Sequence, residues 1–459
     1  MKPFDGSGEA LHALGAAPAE EEKWPKSVLR EDPHTAFRQP PRKEENGRER
    51  IFGEELAGVL GPRWVEIEAV ALENNARQVQ KILSPGTRLL AVVKADGYGA
   101  GAVEAARIFL EAGAGYLGVT TLAEGLELRR NGIGAPILLM SPLLPEEMPL
   151  AIREDLTLTI DSRAGAEKAA EAAAGTGRPA RVHLKVETGL HRTGLEPREA
   201  VALAQEMAAW PLVHLEGIYT HLAEAAHPRK SREQFQRLSG VLSELAEKGL
   251  NFPLRHICNS TACLNYPEMH LDMVRVGTLL YGQLPPGARG SGLDLQDPWQ
   301  VKARLLAVRE VAAGTPVGYG GDYVTPRATR LGVLPLGYAD GLGLTAIARP
   351  KSLGDLARFV AKAVLSYLGW LHRDEAVLVG GRTAPIVGRI GMQLSLVDLG
   401  DLPAGVGEVV QVSLGRPTAG ARLPRLYLRQ GRPYRLRTAA GEWLEVAEPA
   451  GALSYPHFL

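Results

Sequence analysis

The 459 residues include only two cysteines, Cys258 and Cys263, and no His or Cys group at zinc-ligand spacing. That excludes a disulfide-stapled scaffold and a structural zinc site, and it predicts reduced thiols in a cytosolic protein. Charge of one sign is lacking too: Lys plus Arg and Asp plus Glu each total 52. No overall field then favours nucleic acid or an anionic membrane. No apolar run is long enough to span a bilayer, and Met1-Lys2-Pro3-Phe4-Asp5 lacks the apolar segment of a signal peptide. A soluble cytoplasmic protein is the expectation. No glycine-rich dinucleotide fingerprint follows any predicted strand, which argues against an open doubly wound sheet.

Three regions differ in kind. Residues 1–60 are rich in Glu, Lys, Arg and Pro, as in Glu20-Glu21-Glu22-Lys23 and Arg38-Gln39-Pro40-Pro41-Arg42-Lys43. Such a stretch buries too little apolar area to offset its ordering entropy, which predicts a disordered extension. Across 61–293, short apolar runs recur at Leu89–Lys94, Tyr116–Thr120, Pro136–Met140, Leu156–Ile160, Val182–Val186, Leu215–Thr220, Leu254–Cys258 and Met273–Val276. Helix-patterned sequence fills most of the intervals, as in Ala102–Leu110 and Gln234–Leu250. Eight strands alternating with helices over this length predict an α/β fold, a closed (β/α)8 barrel. From 294 to 459, alternating stretches between Gly and Pro turns predict a mainly antiparallel β-domain. Within it, Leu356, Phe359, Val360, Ala363, Val364, Tyr367 and Leu368 keep helical spacing, so an inserted amphipathic helix near 355–370 is expected to pack on something.

Chemistry-bearing residues collect at the carboxyl ends of the predicted strands, where barrel enzymes place their sites. Lys94 ends the first run and precedes Ala95-Asp96-Gly97-Tyr98-Gly99-Ala100-Gly101. It is either a lysine snorkelling off a strand end or an amine whose pKa is lowered by desolvation, able to condense with an aldehyde and act as a base. Strand five carries Lys185 and leads to Arg192, strand six ends at Thr220-His221, strand seven at Cys258-Asn259-Ser260, and strand eight runs through Arg275 to Gly277-Thr278. Ser260 and the backbone at Gly277 and Thr278 lie where this fold binds phosphate. An amine, a phosphate grip, a histidine and an arginine together suggest pyridoxal 5′-phosphate. Arg275 as partner of the ring nitrogen cannot accept a proton, which favours restrained proton chemistry at Cα over transamination.

Ala91-Val92-Val93-Lys94-Ala95-Asp96-Gly97-Tyr98-Gly99 resembles the pyridoxal-lysine signature of the alanine racemase family. Further matches follow in order. They are Lys185–Arg192, Thr220-His221, Asn259-Ser260, Asp272–Gly277, Leu280–Gly282, Gly337-Tyr338-Ala339-Asp340-Gly341 and Ala384–Met392. The resemblance implies that Lys94 holds the cofactor and serves as one base, with Tyr338 of the partner subunit serving the opposite face of Cα. It places Arg192 near the substrate carboxylate, with Lys185 as a carbamylated lysine orienting it. Tyr98, Ser260, Gly277 and Thr278 would bind the phosphate, Arg275 the ring nitrogen, and His221 would pack against the ring. Met392 would offer a backbone contact to substrate from the second chain, so a homodimer with shared sites is implied.

The implied activity is interconversion of L- and D-alanine, supplying D-alanine for peptidoglycan. A racemase of serine or a wider range of amino acids, a non-catalytic pyridoxal-phosphate-binding protein and a decarboxylase are the alternatives. The β-domain with Tyr338 argues against a single-barrel cofactor-handling protein, and Arg275 against a decarboxylase. Ala100, Ala226, Gln393 and Ala421 depart from the family pattern, and the changes concentrate at the mouth of the expected site.

Overall fold

The computed structural model describes residues 50–447, apart from 52, 290–291, 345–349, 351, 368–375, 417–418 and 421. Ala421 and residues 1–49 of the expected extension therefore lie outside the described residues. The expectation of disorder up to residue 60 is corrected over its last part. Arg50–Ile51 (β1) pairs in parallel with Trp443–Val446, and helix α1, Gly53–Leu60, turns Leu56 and Leu60 into a small core with Trp64, Leu426 and Leu436. Three apolar side chains placed at Ile51, Leu56 and Leu60 were enough to dock a segment whose average composition is polar.

Eight parallel strands form the first layer: β3 (Arg88–Val92), β4 (Tyr116–Val119), β5 (Ile137–Leu139), β6 (Leu158–Ile160), β7 (Ala180–Lys185), β8 (Val213–Tyr219), β9 (Leu254–His256) and β10 (Met273–Val276). They pair in two runs, β10-β3-β4-β5 and β6-β7-β8-β9. A parallel bridge between Leu138 and Thr157 joins the runs on one side. On the other, the Arg275 N–H donates to the Cys258 carbonyl (3.0 Å) and Asp272 N–H to that of Arg255 (3.1 Å). The sheet thus closes on itself. Leu89, Ala91, Leu117, Ile137, Leu158, Val182, Ile218 and Val274 are all at most 2 % exposed. Burial on both faces is what gives such strands continuous apolar runs rather than alternation. Helices Ala102–Glu111, Leu122–Arg130, Arg163–Thr176, Pro197–Met207 and Pro228–Glu247 fill intervals between strands.

The second layer is a long, mainly antiparallel sheet, and its central strand comes from ahead of the barrel. Arg63–Glu68 (β2) pairs antiparallel with Trp299–Arg304 and parallel with Arg425–Arg429. Sequence placed this segment with the barrel; the structure puts it in the β-domain sheet, where Trp64, Val65 and Ile67 are fully buried. The inserted helix is present at Leu353–Tyr367. Its expected packing is not: Leu356, Phe359, Val360 and Val364 are 45–53 % exposed, so within the described residues that apolar face covers nothing.

Candidate active site

Lys94 follows β3 after one residue, Val93, and opens an unusual turn. Ala95, Asp96, Gly97, Tyr98 and Gly99 all have positive φ (53°, 52°, 61°, 54° and 88°). A left-handed turn costs roughly 1–2 kcal/mol for each residue with a Cβ, so Ala95, Asp96 and Tyr98 carry several kcal/mol of strain between them. Neighbouring groups hold it. The Ala95 N–H donates to Glu124 Oε1 at 2.6 Å, and Glu124 also closes the capping box with Thr121 that starts helix Leu122–Arg130. The Lys94 side chain is partly buried, and that burial, with the nearby Arg192 charge, holds its amine below the usual lysine range; Glu124 opposes the shift. An amine so placed is more often neutral, and only the neutral form is a nucleophile or base.

Lys185 ends β7 and is 3 % exposed. Burial first, then the Arg192 and Arg275 charges, pull it down to about 8, and its Nζ donates to the Thr193 hydroxyl. Arg192 is itself exposed at the strand ends and acts on both lysines. Three cationic side chains therefore converge on one mouth, which suits an anionic ligand.

Beneath them sits Arg275, 4 % exposed. Its guanidinium donates to the Thr220 carbonyl (2.8 Å) and the Ile257 carbonyl (3.1 Å), and lies 2.7 Å from His256 Nδ1 and 3.3 Å from His221 Nδ1. Burial lowers its pKa to about 10. None of these partners is a carboxylate. His221 is held at about 3 by burial and by the Arg275, Arg192 and Lys185 charges, so both histidine rings face Arg275 neutral, as acceptors require. Tyr219 underlies the group: its ring stacks on His256 with centroids 4.7 Å apart and lies 5.0 Å from the Arg275 guanidinium. A second buried histidine, His183, stands 2.9 Å from His256 and 3.4 Å from Glu216. Sequence reasoning missed Tyr219, His256 and His183. The signal was there in His183, Tyr219 and His256 themselves, polar-tipped residues near the ends of β7, β8 and β9, hidden inside runs read only for their apolar content.

The phosphate end is built from β9 and β10. Asn259 caps helix Ser260–Asn265, accepting from the Ala262 N–H at 3.0 Å, and this presents the Ser260 hydroxyl, which accepts from the Gly277 N–H at 3.1 Å. Tyr98 stacks on Tyr281 (4.7 Å between centroids) and points its hydroxyl at Gly277. A Cβ at 277 would overlap that hydroxyl and stand 2.8 Å from the ring carbon bearing it. Only glycine leaves the cradle open here. Ala226 lines a cleft of about 520 Å³ with Asn259 and Thr261.

Tyr338 and Met392 are brought together on the β-domain. The Tyr338 N–H donates to the Gly391 carbonyl and the Ala339 N–H to that of Met392, each at 3.0 Å. Both side chains are exposed, 46 % and 60 %, and the Tyr338 hydroxyl has no hydrogen-bond partner among the described residues. Gln393 beside them is exposed; Ala100 is buried, its carbonyl accepting from the Tyr427 hydroxyl at 3.0 Å.

Comparison with known proteins agrees over both layers. Residues 67–285 match the profile "Alanine racemase, N-terminal domain" and 299–422 match "Alanine racemase, C-terminal domain". The chain belongs to the alanine racemase family. The alanine racemase of Desulfovibrio desulfuricans is 38 % identical over 352 residues, 76 % of this chain and 88 % of that protein. That of Desulforamulus reducens is 40 % identical over 345 residues, 74 % and 86 % of the two chains. Among solved structures, the alanine racemase of Clostridium difficile 630 superposes with a TM-score of 0.73 at 28 % identity, covering 83 % of this chain and 99 % of its own. The one from a D-cycloserine-producing Streptomyces lavendulae gives 0.68 at 32 % identity, covering 80 % and 97 %.

Alanine racemases depend on pyridoxal 5′-phosphate, and the residues present fit that group. The open cradle at Gly277 with the Ser260 and Tyr98 hydroxyls suits a phosphate, the lowered Lys94 amine suits an aldehyde, and Arg275 offers a donor without an acid. Among the described residues no group of three or more His, Cys, Asp or Glu could hold a metal ion, and no helix is long and apolar enough to cross a membrane.

Proposed function

We propose that this protein is an alanine racemase that interconverts L- and D-alanine, works as a homodimer with shared sites in the cytoplasm, and supplies D-alanine for peptidoglycan. The observation that carries the reading is the Lys94 amine, held below its usual pKa beside Arg192, on a buried support whose arginine faces no acid. Bound at Lys94, pyridoxal 5′-phosphate supplies an electron-withdrawing ring that makes the Cα proton removable. The chain's own residues do the rest. Ser260, Tyr98 and the Gly277-Thr278 backbone grip the phosphate, His221 packs against the ring, and Arg275 donates to the ring nitrogen without protonating it. That restraint keeps the chemistry at proton exchange.

Lys94 takes or returns the Cα proton on one face, and Tyr338 of the partner subunit does so on the other. Two bases on opposite faces are what inversion needs, since one group returning the proton it removed would restore the starting hand. The exposure of Tyr338 and Met392 within a single chain supports an arrangement in which they serve a neighbouring barrel. Arg192 pairs with the substrate carboxylate, and carbamylation of Lys185 would place an anion against Arg192 to aim it. Incubation with L-alanine in heavy water tests the reading: D-alanine should accumulate with deuterium at Cα. Cofactor-loaded protein that leaves the Cα proton of every amino acid offered unexchanged would contradict it.

A further inference from the structure

We propose that Asp96 is a positioning residue for Lys94, held by Arg437 and Arg425, so that each chain's β-domain fixes the amine of its own barrel. The inference rests on Lys94 being the cofactor-bearing base.

The left-handed turn cannot be explained by its own backbone. Internally it has five hydrogen bonds: Gly97 N–H to the Val93 carbonyl (2.9 Å), Gly99 N–H to Ala95 (3.2 Å) and to Asp96 (3.0 Å), Ala100 N–H to Gly97 (2.9 Å) and Gly101 N–H to Asp96 (2.8 Å). A right-handed turn would supply equivalents without strain at Ala95, Asp96 and Tyr98. What selects the strained form is the Asp96 carboxylate, two residues beyond the amine-bearing position. Its Oδ1 accepts from the Ala102 N–H at 3.1 Å and from Arg437 Nη1 at 3.0 Å. Its Oδ2 lies 2.9 Å from Arg437 Nη1 and 3.3 Å from Arg425 Nη2.

Both arginines belong to the long sheet, and Arg425 is 1 % exposed. Its Nε donates to the Gly99 carbonyl at 2.9 Å, while Arg437 also faces Glu127 at 3.4 Å. The Tyr427 hydroxyl from the same strand donates to the Ala100 carbonyl. The sheet lies so close that a Cβ on Gly101 would overlap the Tyr427 hydroxyl, and one on Gly99 would stand 2.5 Å from the Arg416 carbonyl oxygen.

A charge-assisted contact in which one guanidinium nitrogen reaches both carboxylate oxygens, largely shielded from water, is a strong restraint on the strained turn, and its loss weakens the hold on Asp96. Rotation of Asp96 to right-handed φ would redirect the chain at Lys94, because the other anchors, the Ala95 N–H on Glu124 and the Gly99 and Ala100 carbonyls on Arg425 and Tyr427, hold the ends of the turn and not Asp96 itself. The amine would then leave the place where burial and Arg192 act on it. A purely structural role would lower stability without touching Lys94.

The test uses full-length protein carrying Arg437→Gln, Asp96→Asn or Asp96→Ala. For each, the pH dependence of Lys94 acylation by acetic anhydride is read by peptide mass spectrometry after the cofactor is stripped. The Kd for added pyridoxal 5′-phosphate and the thermal midpoint are measured in parallel. Arg437→Gln and Asp96→Ala should return Lys94 toward ordinary lysine titration and weaken cofactor binding about tenfold, the weight of a charged hydrogen bond. Asp96→Asn keeps an acceptor for Ala102 and tolerates left-handed φ but loses the ion pairs, so it should fall between wild type and Asp96→Ala in both. A lowered thermal midpoint with wild-type Lys94 titration and cofactor Kd in Arg437→Gln, which retains the turn's own sequence, would overturn the proposal. Wild-type protein whose Lys94 neither titrates low nor takes up the cofactor would overturn the functional reading instead.

Discussion

Replacing Lys185 with methionine should make the protein more stable near neutral pH. Lys185 is almost fully buried at the end of β7, with the Thr193 hydroxyl as its hydrogen-bond partner and two guanidinium charges nearby. Its amine falls from the ordinary 10.5 to about 8, chiefly through burial. At about 1.4 kcal/mol per pH unit, that difference amounts to roughly 3 kcal/mol charged against the folded state. Losing the hydrogen bond to Thr193 returns about 1 kcal/mol, so Lys185→Met should gain about 2 kcal/mol. The sign follows from proton counts. Below about 8 both folded and unfolded chains hold the proton and the folded one bears the full cost. Between about 8 and 10.5 only the unfolded chain holds it, so wild-type stability climbs with pH and the advantage of methionine fades.

Urea unfolding in buffer free of carbon dioxide, near pH 7 and again at about pH 10, reads both numbers. A variant no more stable than wild type near neutrality would refute the argument that Lys185 is a destabilising buried cation. Carbamylation, as proposed for Lys185, would reverse the balance, since the new anion would attract the Arg192 charge that the amine repels. Added bicarbonate should therefore stabilise wild type and leave the methionine variant unchanged.

Two further outcomes follow from the same geometry. Gly277→Ala puts a methyl group into the Tyr98 hydroxyl, so cofactor binding by equilibrium dialysis should weaken at least tenfold, the scale of about 1.4 kcal/mol. Arg275→Met removes the charge that, after burial, does most to depress His221. Its pKa should rise from about 3, measured by NMR of labelled histidine, and an unchanged value would assign the whole effect to burial.

The barrel was legible because its evidence is local. Strands buried on both faces must be apolar throughout, and runs such as Leu89–Val93 say so without reference to any other part of the chain. The grouping of the candidate residues was legible for a related reason: barrel topology brings the carboxyl ends of the strands that carry or precede Lys94, Lys185, His221, Ser260 and Arg275 to one mouth whatever lies between them. What stayed hidden depends on distant partners. Nothing in Arg63–Glu68 reveals that it pairs with Arg425–Arg429, more than three hundred residues on, and an alternating segment beside a barrel is naturally grouped with it. The docking of Ile51, Leu56 and Leu60 depends likewise on Leu426, Leu436 and Leu444. Helical spacing in Leu353–Tyr367 fixed the element and its apolar face, but periodicity cannot say whether a face has a partner. Left-handed φ at Ala95, Asp96 and Tyr98 is also silent in sequence, because it depends on Glu124 and on Arg425, Tyr427 and Arg437 of the far sheet.

The most direct test of the shared two-base site is subunit mixing. Lys94→Ala and Tyr338→Phe homodimers should each be inactive or nearly so. After co-refolding, half the dimers are mixed, and in each mixed dimer one site receives a wild-type lysine from one chain and a wild-type tyrosine from the other. Racemisation should then return to about a quarter of the wild-type rate. No activity above that of the separate variants, from dimers shown by mass to be mixed, would contradict the account.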